Sequence, residues 1–244
     1  MTEPVAAHAF VNDMDQPLLS DEDRHHFVRV LRLKAGEVVS VSDGIGGLRR
    51  CLIGGKGELE PVGDTEREAA IEPALTVAFA AVKGDRPEWA VQKLTEAGVD
   101  RIVPLVTQRT VVRWSGDKAQ RATERLRRVA REAAMQSRRT RLPEVGDVMS
   151  LAQALSAFGG SAALATVGGS PPSLSRPCVL VGPEGGWTPD ERESAPATVG
   201  LGPHVLRTET AAVAAGVLLV GLRAGLVGEL PGPGVYGARS DQRS

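Results

Sequence analysis

Aromatic side chains are scarce in this chain: phenylalanine, tryptophan and tyrosine make up 3% of its 244 residues. Base-stacking platforms are therefore excluded as the main way it could hold a nucleic acid. Cysteine is nearly absent. Cys51 and Cys178 sit in strand-like runs of different predicted domains, so two reduced thiols are expected rather than a disulfide, and no metal-ligand spacing exists. Long apolar runs are missing as well. The longest uncharged one, Thr210 to Leu222, is too short to span a bilayer and reads as a buried helix rich in alanine and glycine. Met1 is followed by Thr2, Glu3 and Pro4, without the basic and apolar regions of a secretory signal, so a cytoplasmic location is expected.

Net charge is almost nil, at −1, but its distribution is uneven. Between Arg109 and Arg141 eleven basic residues face only Asp117, Glu124 and Glu132, a local excess of eight. A helix is predicted from about Asp117 to Ser137, because Ala119, Ala122, Leu126, Val129, Ala130 and Ala133 recur at helical spacing. Arg121, Arg125 and Arg128 share another face, where such an excess forms an electrostatic footprint for phosphate. Arg24, Arg29 and Arg32 make a second basic segment near the amino terminus, beside His25 and His26.

Two textures divide the chain. A capped helix is predicted over Ser20–Arg32 with Phe27, Val30 and Leu31 inward, followed by a hairpin of Glu37–Ser42 and Leu48–Ile53 about Asp43–Gly47. Short strands with glycine turns imply a small barrel over residues 1–72, and the polar stretch from Gly63 to Pro73 reads as a linker. From residue 73 to 228 longer alternating units follow: strands at Leu75–Val82, Ile102–Val106 and Ala162–Val167, helices at Pro87–Ala97, at the basic segment and after Ser150. That alternation argues for an α/β domain with a mainly parallel sheet. The segment 229–244 is rich in glycine and proline and is expected to be a flexible tail.

The densest signal lies near the carboxy terminus. Val179-Leu180-Val181 reads as a buried strand that breaks at Gly182-Pro183-Glu184-Gly185-Gly186, where glycines permit positive φ and close approach of a ligand to the backbone. Thr188 then opens a helix as N-cap, with Pro189 at the first position and Glu191 completing a capping box. A second crossing repeats the plan, with a strand ending near Leu206 and a helix from about Thr208. Two adjacent strand-to-helix crossings line one crevice, the usual ligand position in an open α/β sheet.

Together, GPEGGW and LGPHVLRTETA resemble the carboxy-terminal signature of the SPOUT methyltransferases, most closely the ribosomal RNA small-subunit methyltransferase E family. Family-like blocks also occur at Arg24–Arg32, Lys83–Arg86, Gln92–Val99 and Arg131–Ser137, so the resemblance covers nearly the whole chain. It implies a PUA-like amino-terminal domain, a carboxy-terminal trefoil knot and a homodimer. The implied reaction is methylation of N3 of a uridine in 16S ribosomal RNA, within the 30S subunit, with S-adenosylmethionine as cofactor and no metal. The cofactor contacts it implies are Gly182, Glu184, Gly185 and Gly186 on one wall, Leu201, Gly202, Val205, Leu206 and Thr208 on the other, and Thr166 and Val167 beneath. Met135 departs from the family pattern, which has glutamate there.

Uridine N3 carries a proton at neutral pH, so a base must accept it and a cation or N–H donor must stabilise the resulting anion. Glu209 and Arg207 are the candidates for these two tasks. Lys83, Arg86 and Arg109 follow predicted strands at loop starts, where substrate-facing residues concentrate, and join the RNA-binding candidates. Two other readings remain open: a non-catalytic RNA-binding ribosome-assembly factor, and a related methyltransferase acting on another RNA such as tRNA.

Overall fold

The computed structural model describes residues 5–112 and 114–228; Arg113 of the basic segment and the expected tail at 229–244 lie outside them. The amino-terminal unit comprises β1 (His8–Phe10), α1 (Asp21–His25), β2 (Val38–Ser42), β3 (Gly47–Ile53) and β4 (Leu59–Arg67). These strands form a sheet in the order β1-β2-β3-β4, parallel at its first pair and antiparallel thereafter. Ser20 caps α1 by accepting from the Asp23 amide at 3.0 Å.

Two expectations fail in this unit. The helix does not continue regularly to Arg32: His26–Val30 is π-helical, with the Leu31 amide donating to His26 five residues back. That bonding winds fewer degrees per residue, so Phe27 is buried while Val30 and Leu31 turn to solvent. Residues 63–67 are not linker either. They belong to β4, where Gly47 pairs with Arg67 and Leu48 with Glu66. A polar edge strand satisfies its backbone on one side and meets water elsewhere, so its composition imitates a loop.

The second unit runs β5 (Thr76–Ala80), α2 (Arg86–Ala97), β6 (Arg101–Val106), α3 (Gly116–Gln136), β7 (Glu144–Val145), β8 (Met149–Ser150), α4 (Leu151–Phe158), β9 (Ala162–Ser170), β10 (Cys178–Val181), α5 (Pro189–Glu193), β11 (Thr198–Val199) and α6 (Thr208–Arg223). Its sheet has the order β11-β9-β10-β5-β6-β7, with β8 also on β6, and every pair is parallel. Helices cover both faces, as parallel sheets require. Leu75, Val77 and Phe79 pack in one core with Leu94, Leu126 and Leu219, while Ala78 joins Val103, Leu105, Leu180 and Trp187 in the other. Burial pushes the Cys178 thiol up to about 12 and that of Cys51 to about 11, so both are inert hydrophobes here.

The strand expected to end near Leu206 stops at Val199. Gly200 still donates to the Ser170 carbonyl at 2.8 Å, but Gly202-Pro203 breaks the ladder and residues 201–207 form a loop. The crossing there is tight: a Cβ on Gly169 would lie 2.4 Å from the Val199 carbonyl carbon.

The two units are docked through the end of α3. Arg131 binds the buried Asp23 carboxylate at 2.8 Å and the Phe10 carbonyl at 3.3 Å. Met135, in place of the family's glutamate, packs against the amino-terminal core and touches the Arg131 guanidinium with its sulfur. Ser42 donates to the Thr140 carbonyl at 2.6 Å, and Gly46 has no room for a Cβ beside the Glu68 carbonyl.

Candidate active site

The carboxyl ends of β9 and β10 and the loops after β10 and β11 enclose a cavity of about 510 Å³. It lies at the crevice beyond the strand ends, the general ligand position of an open α/β sheet, and its size suits a nucleoside-containing molecule. Thr166, Val167, Gly182, Glu184, Gly186, Leu201, Gly202, Val205, Leu206 and Thr208 all line it, as does Arg207.

Local sequence explains how the walls are held. Thr188 accepts from the Glu191 amide at 3.3 Å and Glu191 returns the bond to the Thr188 amide at 2.9 Å, completing the capping box of α5. The second Glu191 oxygen accepts from the Gln108 amide, tying the glycine turn to the loop after β6. Thr208 donates its hydroxyl to the Gly182 carbonyl at 3.0 Å and so joins the two crossings. Trp187 lies with its ring against Gly182, where a Cβ would stand 3.0 Å from the indole, and its Nε1–H donates to the Ala165 carbonyl at 3.0 Å. The aromatic was present in the sequence motif, but its role in welding β9 to the glycine turn was not legible there. Arg192 and His204 also line the cavity and were not anticipated.

Gly186 takes φ +67° and Gly202 φ +143°, and at both the place of a Cβ is open space. A cavity walled by bare backbone, Val181, Leu201 and Leu206 therefore fits the adenosine part of S-adenosylmethionine. Gly185 stands apart from the other glycines. It does not line the cavity; a Cβ there would meet Arg109 at 3.3 Å. Arg109 donates to the Gly185 carbonyl at 2.8 Å, with Trp187 O at 3.4 Å, and thus holds the turn from behind.

At the N-terminus of α6 Arg207 is exposed at the rim, whereas Glu209 is only 8% exposed. One oxygen of Glu209, Oε2, is buried without a hydrogen-bond partner among the described residues, with Arg86 Nη1 at 3.8 Å. The same nitrogen donates to Glu184 Oε1 at 2.9 Å, and Arg86 Nε donates to the Lys83 carbonyl at 3.1 Å. Nothing in the spacing of residues 86, 184 and 209 announced that they converge.

The remaining basic candidates separate into distinct places. Arg24 and Arg29 border a groove of about 330 Å³ with His25 and Lys56, and Arg24 is ion-paired to Asp21. Arg32 is exposed at φ +55°, and Lys83 is exposed at the head of α2. On α3, Arg121 and Arg128 project to solvent, whereas Arg125 is ion-paired to Glu88.

Comparison with known proteins gives the same organisation. A model described as an RNA methyltransferase domain matches residues 70–220, and one described as an RNA methyltransferase PUA domain matches residues 19–60. A protein of Mycobacterium tuberculosis named ribosomal RNA small subunit methyltransferase E is 33% identical over 218 residues, covering 81% of this chain and 83% of the relative. One of the same name from Bacillus subtilis is 32% identical over 223 residues, covering 79% and 85%. The crystal structure of a ribosomal RNA small subunit methyltransferase E from Neisseria gonorrhoeae, bound to S-adenosyl methionine, superposes with a TM-score of 0.72 at 25% identity. It covers 86% of this chain and 94% of that one.

Proposed function

This chain belongs to the ribosomal RNA small subunit methyltransferase E family, and from that premise we propose that it methylates N3 of a uridine in 16S ribosomal RNA. The observation that carries this reading is the backbone-walled cavity between two strand-to-helix crossings, with Arg207 on its rim and, next in the chain to the lining Thr208, Glu209 with one carboxylate oxygen unpaired among the described residues. S-adenosylmethionine, when bound, supplies an activated methyl group. Gly182, Gly186, Leu201, Gly202, Val205 and Leu206 would hold it, with Thr166, Val167 and Thr208 closing the pocket. Glu184 adds a carboxylate that favours a cationic ligand.

The chain's own residues then have three tasks. They must orient the uracil, take its N3 proton and stabilise the negative charge that spreads to the ring oxygens. Glu209 Oε2 is an acceptor with no hydrogen-bond partner among the described residues, which suits the N3–H. Arg207, solvent-facing and two residues earlier, suits the anion. Arg24, Arg29 and Arg32 on the PUA unit and Arg121 and Arg128 on α3 would bind phosphates, with Lys83 nearer the cavity.

The same reading includes a carboxy-terminal trefoil knot, a homodimer, the assembled 30S subunit as context and a cytoplasmic location. It divides the chain at residues 72 and 73 into an RNA-binding and a methyltransferase domain. Ribosomal RNA from a deletion strain and from its complemented parent, mapped by mass spectrometry, tests it. Loss of one methyl group from a uridine of the small-subunit RNA, restored on complementation, is the expected result. An unchanged small-subunit RNA would leave an assembly factor, and a loss confined to tRNA would move the enzyme to another substrate.

A further inference from the structure

Arg86 occupies an odd position for a residue that would greet RNA. It stands at the first position of α2, outside the cavity lining, and its guanidinium is held at Lys83 O (3.1 Å) and Glu184 Oε1 (2.9 Å). Its Nη1 approaches Glu209 Oε2 to 3.8 Å, close enough for Coulomb attraction but too far for a hydrogen bond. Glu209 is nearly buried and that oxygen has no other partner among the described residues. A buried carboxylate oxygen left unpaired is costly, and each such case demands an account in terms of a missing partner or a function. Glu88, two residues beyond Arg86, also keeps an unpaired buried oxygen, but its carboxylate is already ion-paired to Arg125 on α3. Among the described residues Glu209 makes no such ion-pair hydrogen bond, and the cation beside it is Arg86, shared with Glu184.

We propose that Arg86 is a positioning residue for methyl transfer, shared between Glu184 and Glu209, rather than a phosphate contact. Held by Glu184, the guanidinium lies just beyond bonding distance of Glu209. Its charge holds the Glu209 carboxylate in place while leaving Oε2 without a hydrogen bond, available as the proton acceptor of the proposed reaction. Glu184 faces the cavity, so a cationic ligand there competes with Arg86 for the same carboxylate. A planar fork with several donors can serve two carboxylates and a carbonyl together; an ammonium cannot do so in the same geometry.

This inference rests on the proposed reaction, and its test separates the two. Single-turnover methylation of the RNA by the full chain is measured for wild type, Arg86→Ala, Glu209→Gln and the double variant, alongside RNA binding as a function of salt. Wild-type turnover by itself establishes the reaction; its absence overturns the reaction and not the placement of Arg86. With turnover established, Arg86→Ala should slow the step by about a hundredfold, the effect of a small misplacement of a reacting group. The double variant should be no slower than the slower single one, because both changes remove one unit. RNA affinity and its salt slope should stay at wild-type values. Multiplicative losses in the double variant, or a normal rate at saturating RNA with a salt slope reduced by about one phosphate, about 0.9 on logarithmic axes, would overturn the proposal. Should Arg86→Ala lose its cooperative melt, Arg86→Lys, which keeps charge and bulk, serves instead. It should remain folded, bind RNA normally and still turn over slowly; a full wild-type rate in Arg86→Lys would equally overturn the positioning role.

Discussion

Arg207 and Glu209 are two residues apart, yet their surroundings differ completely. Arg207 is the N-cap of α6 without a side-chain capping bond and reaches into solvent at the cavity rim. Glu209 lies in the first turn, buried. Such a pair suits stabilisation of a developing anion by the first and proton acceptance by the second. Arg207→Ala should therefore lower the single-turnover rate by roughly ten- to a thousandfold, the range of one lost electrostatic donor or less. Affinities for cofactor and RNA should change far less, and raising the pH should restore part of the rate by supplying deprotonated uridine. A normal rate at saturating RNA with weaker binding would make Arg207 a positioning group. The glycines teach the same lesson about environment. Gly185 and Gly186 are adjacent in sequence, but Gly186 opens onto the cavity while Gly185 abuts Arg109. No local pattern distinguishes them, because the difference arises from which wall each backbone faces.

On the scale of elements, α3 shows how a charge run divides its labour. Its arginines are equivalent in sequence, cations clustered on one basic helix. In the fold, Arg127 donates to the Val145 carbonyl at 3.0 Å and to Asp147, Arg131 is spent on Asp23, and Arg125 is paired with Glu88. Arg121 and Arg128 are the exposed pair with no ion-pair partner among the described residues. Replacing both with alanine should weaken RNA binding and reduce the slope of log affinity against log salt by up to about 1.8, from two phosphate contacts. Adding Arg125→Ala should change the slope by less than either of the others. Equal steps for all three, in filter-binding titrations over a range of salt, would mean that the Glu88 pair opens freely. An unchanged slope would mean that this face is only solvated.

For the molecule as a whole, the joint between the units is polar and depends on protonation. His8 on β1 is buried, and its Nε2 lies 3.1 Å from the Arg139 carbonyl, an acceptor, so Nε2 carries the hydrogen. Its Nδ1 then accepts from the Ser40 hydroxyl at 2.7 Å. Burial, with help from nearby Arg138, lowers the His8 pKa from 6.5 to about 4 against the opposing effect of the Arg139 bond. Because the unfolded chain binds the proton more readily, stability is full above about pH 6.5 and falls as the pH drops towards 4. Between about pH 7.5 and 5.5 the loss from this group should be about 1 kcal/mol. Thermal melts of wild type and His8→Asn check it: the wild-type advantage should shrink across that window. A constant difference would show that His8 does not titrate with folding.

Sequence alone determined what depends on short range. The capping box at Thr188, the glycine break after Val181, the helix of α3 and the parallel βα alternation each follow from residues within a turn or two of one another, and each stands where its pattern put it. The family signature was equally local, since it consists of loop residues and the first turn of α6. What depends on long range came only with the tertiary structure. Residues 63–67 of β4 looked like the start of a linker because an edge strand borrows its partner's backbone and needs no apolar pattern of its own. The loop over residues 201–207 looked like the end of a strand because its apolar residues serve a cavity instead of a ladder. Arg86 at the start of α2, Glu184 in the loop after β10 and Glu209 at the start of α6 meet where the order of the sheet brings them, and Arg131 finds Asp23 across the joint between units. Such meetings are decided by where strands are laid side by side, and no spacing along the chain encodes them.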